Sequence, residues 1–225
     1  MKPWILLDTV AAPTRAEQLR LLQRDTEFSI KVGNYELMNS RAHGSEEALA
    51  ELACARIAQR PHARVLIGGL GMGFTLAAAL RALAADSEVV VAELIAAVVR
   101  WNRGPLAHLA GHPLRDARVH VREIDVAHVM RDQPRAYDAI LLDVDNGPEG
   151  LTRKENDWLY GVAGLRAAHG ALRPGGVLAV WSAAYDAAFT KRLVSTGFTV
   201  AEKRVRARGS RGGAHHIIWI ATRAD

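Results

Sequence analysis

Four segments of this 225-residue chain constrain its fold more than any other feature. Each is a short, nearly unbroken apolar run that ends in glycine or an acid and then gives way to helical spacing. They are Arg64-Val65-Leu66-Ile67, Glu88-Val89-Val90-Val91-Ala92, Ala139-Ile140-Leu141-Leu142 and Gly176-Val177-Leu178-Ala179-Val180-Trp181. A strand that is apolar on both faces belongs inside a parallel sheet covered by helices, because a strand with one wet face alternates instead. Between these runs, Phe74 to Ala84, Ile95 to Trp101 and Asn156 to Ala171 read as crossover helices. A fifth strand, Arg118 to Ile124, alternates polar and apolar residues and belongs nearer a sheet edge. Together they predict an α/β fold with a doubly wound, mostly parallel, Rossmann-like sheet.

The two ends of the chain differ from this pattern. Phe198 to Arg206 and His215 to Thr222 are consecutive β-type runs joined by a Gly-rich loop, which predicts a C-terminal antiparallel hairpin at one sheet edge. That ending resembles the class I methyltransferase sheet rather than a dinucleotide dehydrogenase. Residues 1–40 hold short β-like pieces such as Glu27 to Val32 and Tyr35 to Met38, with Gly33-Asn34 as a hairpin turn. The expected organisation is a short N-terminal β segment, 1–40, followed by one nucleoside-cofactor-binding domain, 41–225. The length suits a single medium domain with a full core.

Gly69, Gly71 and Gly73 follow a predicted strand and open a predicted helix, the setting in which a glycine-spaced turn binds a nucleotide. Glycines let the backbone turn sharply and approach a ligand, and the helix start offers unpaired N–H groups. The turn Gly69-Leu70-Gly71-Met72-Gly73 is therefore the first candidate cofactor contact. Glu93, followed by Leu94, ends the next strand, where a carboxylate can accept both ribose hydroxyls of a nucleoside. Asp125, followed by Val126, ends the third strand and is placed for an adenine amino group if Glu93 holds the ribose. The fourth strand ends in Asp143-Val144-Asp145-Asn146-Gly147-Pro148, on the sheet rim where ligands bind in this architecture. Asp143 and Asp145 are the candidate catalytic residues, since carboxylates there can bind a cationic acceptor or take a proton from an attacking amine. Asp145 and Asn146 equally suit a turn before Gly147-Pro148.

Other chemistries find less support. The nine histidines fall into no metal-ligand spacing, and His215-His216 are strand neighbours whose rings point to opposite faces, so no metal is expected. His43, before a helix start at Ser45-Glu46-Glu47, reads as a surface cap better than as an acceptor contact. Cys54, the single cysteine, lies in an Ala-rich helical stretch and is expected to be buried rather than nucleophilic. The net charge of +5 concentrates in Lys203 to Arg211, which alternates cations with small residues before a glycine pair. Without interleaved aromatics, that run suits a solvated hairpin with a mobile loop better than a nucleic-acid contact. No apolar run approaches a membrane span, and the opening Met1 to Asp8 breaks too early for a secretory signal, so a cytoplasmic protein is expected.

From about Phe28 to Trp181 the sequence resembles the spermidine synthase family, aminopropyltransferases built on a methyltransferase fold. The resemblance rests on Val65-Leu66-Ile67 before the glycine turn, Val91-Ala92-Glu93-Leu94, Asp125, Tyr137-Asp138-Ala139-Ile140-Leu141-Leu142-Asp143, Gly147-Pro148-Glu149 and Leu172-Arg173-Pro174-Gly175-Gly176-Val177-Leu178. It implies a homodimeric transferase in which Glu93 holds the ribose, Asp125 the adenine, and Asp143 deprotonates the attacking amine. Two departures stand out. The family's G-G-G-D-G-G turn becomes Gly69-Leu70-Gly71-Met72-Gly73-Phe74, so Met72 replaces the aspartate that holds the aminopropyl ammonium of decarboxylated S-adenosylmethionine. The D-S-S-D-P-x-G-P loop is shortened to Asp143 through Pro148, which removes the assurance of a second diamine-binding acid.

Three functional readings follow. Loss of the acid at Met72 favours methyl transfer from intact S-adenosylmethionine to a small-molecule acceptor. The family resemblance, with Asp143 and Asp145, favours aminopropyl transfer from decarboxylated S-adenosylmethionine to a polyamine. A nucleoside-binding protein without catalysis is the third.

Overall fold

A computed structural model describes residues 2–11, 17–144, 148 and 156–224. In chain order, β1 (Ile5–Ala11), β2 (Gln18–Arg24), β3 (Glu27–Val32) and β4 (Tyr35–Asn39) form a four-stranded antiparallel sheet. Helix α1 (Gly44–Ile57) leads into β5 (Arg64–Gly68), α2 (Phe74–Ala82), β6 (Glu88–Ala92), α3 (Ala96–Arg103), β7 (Val119–Arg122) and α4 (Val126–Asp132). The chain continues through β8 (Tyr137–Leu142), α5 (Asn156–Tyr160), α6 (Val162–Ala171), β9 (Leu172–Ser182), α7 (Ala187–Ser195), β10 (Phe198–Arg206) and β11 (His215–Arg223). The second sheet has seven strands in the order β10-β11-β9-β8-β5-β6-β7. Strands β5 to β9 run parallel, and the β10–β11 hairpin joins β9 antiparallel. This is the doubly wound sheet with a C-terminal hairpin expected from the sequence, and β7 lies at its edge.

The central strands are apolar on both faces because both faces are covered. Val65, Ile67, Val89, Val91, Ala139 and Leu141 pack with α1, α2 and α3 on one side. Their neighbours Leu66, Val90, Ile140 and Leu142 pack with α4, α6 and α7 on the other. Alternate residues of a strand point to opposite faces, and full burial of each such side chain is worth about 1.5–3 kcal/mol. Cys54 is fully buried among α1's apolar residues, where burial pushes its thiol up to about 12. The N-terminal sheet shares this core: Leu19, Leu21, Phe28, Ile30 and Val32 join the same cluster as α1 and α2. Asp8 of β1 adds a polar tie, its Oδ2 accepting from Trp101 Nε1 at 2.7 Å and Arg100 Nη2 at 2.9 Å.

Three local expectations are corrected. The helix read over Asn156 to Ala171 is two helices, broken at Gly161, whose backbone is extended at φ −78° and ψ 170°. A Cβ on Gly164 would stand 2.4 Å from the carbonyl oxygens of Trp158 and Leu159, so the two helices approach more closely than a side chain permits. The loop after β10 is not a free appendage. Gly44 N donates to Ala207 O at 2.8 Å, and a Cβ on Gly44 would lie 2.3 Å from Gly209 N, so the loop is docked on the start of α1. His43 is no exposed cap: it makes no side-chain capping bond, and its ring stacks on Phe74 at 4.2 Å.

Candidate functional site

The ends of β5, β6, β7 and β8 open onto one cleft of about 180 Å³, partly exposed to solvent. Gly69, Gly71, Glu93, Leu94, Asp125, Val126 and Asp143 line it, seven of the ten residues named from the sequence as cofactor contacts. Leu70, Met72 and Gly73 lie outside the lining. Met72 is wholly enclosed in the core, so its side chain is a packing element of the turn. Asp145 falls outside the described residues. The N-terminal sheet closes the cleft from above with Leu19, Ile30, Leu37 and Met38.

The turn is built from left-handed backbone, with φ of +88° at Gly69, +52° at Gly71 and +85° at Gly73. A Cβ on Gly69 would sit 2.3 Å from the carbonyl oxygen of Asp143, so only glycine lets β5 and β8 deliver their ends side by side. The turn is then clamped from two directions. Asn102 Nδ2 donates to Gly71 O at 2.8 Å. Glu93 accepts from Leu70 N through Oε2 at 2.9 Å and from Ile95 N through Oε1 at 2.8 Å. Each carboxylate oxygen has a second lone pair, so Glu93 can hold the turn and still accept ribose hydroxyls. Asp125 likewise has a local task, capping α4 by accepting from Ala127 N at 2.8 Å through Oδ1.

Beside the turn, two further carboxyl groups line the cleft. Asp143 Oδ2 accepts from Thr75 Oγ1 at 2.5 Å, and burial pushes its carboxyl up to about 6. Glu46, on the first turn of α1 and 8% exposed, also lines the cleft. Burial, and then the nearby Asp143 charge, push its carboxyl up to about 8. The Ser45 hydroxyl donates to Glu46 Oε2 at 2.7 Å, and His216 Nδ1 lies 2.8 Å from the same hydroxyl. Trp181, at the rim end of β9, completes the wall; its ring is 9% exposed and its Nε1 has no hydrogen-bond partner. Sequence reasoning missed Glu46 and Trp181 as site residues. Trp181 carried a signal, since it ends a buried strand on the same rim. Glu46 carried none, because α1 precedes the first parallel strand.

The cleft therefore presents four carboxyl groups, those of Glu46, Glu93, Asp125 and Asp143, and among the described residues no lysine, arginine or histidine lines it. The described residues contain no cluster of metal-ligating side chains. No helix among them is long and apolar enough to cross a membrane.

No family model and no curated protein sequence matches the chain. Solved structures do. A spermidine synthase in complex with the transition-state analogue AdoDATO superposes with a TM-score of 0.75 at 15% identity, covering 97% of this chain and 72% of that one. Spermidine synthase from Thermotoga maritima gives 0.76 at 15% identity, over 97% and 73% of the two chains. A probable spermidine synthase from Corynebacterium glutamicum gives 0.67 at 16% identity, over 96% and 79%. With the strand order, the hairpin edge and the glycine turn in place, these likenesses make the chain's architecture a spermidine synthase-like class I methyltransferase fold.

Proposed function

We propose that this protein is a transferase that moves an aminopropyl group from decarboxylated S-adenosylmethionine to an amine acceptor. The observation that carries the proposal is the charge of the cleft: four carboxyl groups and, among the described residues, no lining cation. Decarboxylated S-adenosylmethionine brings a sulfonium and an ammonium, and an amine acceptor adds another positive group. Intact S-adenosylmethionine would bring a carboxylate to a wall of acidic side chains with, among the described residues, no cation to receive it, which like-charge repulsion disfavours. One of the spermidine synthases sharing the fold is solved with the transition-state analogue AdoDATO, in keeping with this reading.

Each wall residue then has a task. Gly69 and Gly71 allow the backbone to approach the nucleoside, Glu93 accepts from the ribose and Asp125 faces the base. The bound cosubstrate supplies a carbon activated by positive sulfur; the acceptor nitrogen bonds to it as the C–S bond breaks and its electron pair leaves with sulfur. Asp143 takes the proton that the nitrogen sheds, returning it to neutral amine. A carboxyl raised to about 6 is a stronger base than an ordinary aspartate yet is still largely ionised at neutral pH. Thr75 fixes its orientation, and positioning supplies most of the acceleration in such a displacement.

Methyl transfer from intact S-adenosylmethionine is the second reading, and Met72 is what favours it. Its weight falls because the Met72 side chain is buried away from the cleft, so its neutrality says little about the charge a ligand meets. Calorimetric titration of both cosubstrates decides between them. The expected result is at least tenfold tighter binding of the decarboxylated form, with aminopropyl transfer to a diamine in a coupled assay. Tighter binding of the intact form would reverse the choice.

A further inference from the structure

Three of the four cleft carboxyls have other work. Glu93 is clamped by two backbone N–H groups, Asp125 caps α4, and Asp143 is held by Thr75. We infer that Glu46 holds the propylammonium end of the cosubstrate, supplying a carboxyl from α1; the inference rests on the aminopropyl reading above.

Glu46 is nearly enclosed, lines the cleft, and among the described residues pairs with no cation. Arg81, by contrast, pairs with the neighbouring Glu47, at 3.3 Å. A buried carboxyl that shares a cleft with a second carboxyl is completed by a ligand cation bound in that cleft. Thr75 touches both residues, donating to Asp143 Oδ2 at 2.5 Å and lying 3.4 Å from the Glu46 backbone oxygen, so α2 ties the start of α1 to the end of β8.

The groups behind Glu46 suit a carboxyl that changes charge. When it is ionised, Ser45 donates to it and His216 Nδ1–H donates to Ser45. When it is protonated, Glu46 donates to Ser45 Oγ and Ser45 donates to a His216 whose Nδ1 carries no hydrogen. The chain of three groups satisfies both states by reversing direction. Asp143 from β8 and Glu47 on the same helix oppose ionisation of Glu46, and the arriving ammonium offsets them.

The test compares decarboxylated S-adenosylmethionine with 5′-methylthioadenosine, the same nucleoside without the propylamine and the sulfonium charge that goes with it, by calorimetry on wild type and Glu46→Gln. Wild type should prefer the first ligand by tenfold or more. Glu46→Gln should lose most of that preference while binding methylthioadenosine as wild type does. A variant that keeps the preference overturns Glu46's role and leaves the transfer reading standing, as does one that loses both ligands equally. A wild type that gains nothing from the propylamine overturns the transfer reading and this inference together. If Glu46→Gln does not fold, Glu46→Asp carries the comparison: its shorter stem should lose part of the preference, and an undiminished preference overturns the assignment.

Discussion

Glu93 clamps the glycine turn with a carboxylate that also lines the cleft, so its removal is expected to have two effects. Glu93→Ala leaves Leu70 N and Ile95 N without their acceptors, at about 1–3 kcal/mol for each buried donor left unpaired. We expect nucleoside affinity to fall about tenfold or more in calorimetry, and the melting temperature to fall as well. A loss of affinity with no loss of stability would mean that the turn stands without this clamp. Asp143 behaves in the opposite way. Its carboxyl is buried against its own preference for water, so Asp143→Asn should leave the melting temperature unchanged or higher while turnover drops about 10²–10⁴-fold. The folded state keeps a proton that the unfolded chain releases from its ordinary value of 3.8 upward, so this group lowers stability as pH rises from there to about 6. Activity moves the other way: kcat/KM should rise through about pH 6 as the base forms, and a flat profile across that range would remove Asp143 from the proton transfer.

At the scale of elements, the parallel strands and the C-terminal hairpin were legible, while β1, β2 and two helices were not. Runs such as Val89-Val90-Val91 can be buried on both faces only within a covered sheet, which is why the parallel core and its order of elements could be read directly. Helices α4 and α7 were passed over although each begins at a capping aspartate, Asp125 and Asp186, the latter accepting from Ala188 N at 2.7 Å and Phe189 N at 3.0 Å. Asp125 had been read for its ligand role alone, and a short helix of seven residues shows too few turns for periodicity to register. The cleft residues that end strands were legible for the same reason as the strands. Glu46 reaches Asp143 only because α1 packs across the sheet, a relation nearly a hundred residues apart with no local trace. Asp138, at the opposite end of β8, is 2% exposed and shows what a purely structural carboxylate looks like: it accepts from Arg60 Nη1, Arg64 N and Arg173 Nη1, each at 2.8 Å. Asp138→Ala strands two arginines and a backbone donor, so unfolding should become easier by about 3–5 kcal/mol. Denaturant melts should show this with nucleoside affinity unchanged. Unaltered stability would mean that the arginines find new partners.

Across the whole molecule the two sheets act as one body, since the N-terminal strands supply both part of the core and the apolar roof of the cleft. The four-acid cleft sits inside a chain of net charge +5, with Lys203, Arg204, Arg206 and Arg208 exposed along the C-terminal hairpin. A dicationic ligand is therefore repelled by the distant field and attracted by the near one. Salt acts on the two unequally, because a Debye length of about 8–10 Å at physiological strength screens the outer surface well and the enclosed acids poorly. Stopped-flow association of decarboxylated S-adenosylmethionine should accordingly speed up as salt is raised from about 10 to 150 mM, the reverse of ordinary electrostatic steering. A rate that falls with salt would show that the cleft's own field extends past the basic exterior. With the expected sign, the protein would meet its ligand fastest in a crowded ionic medium and hold it by a charge that the medium barely reaches.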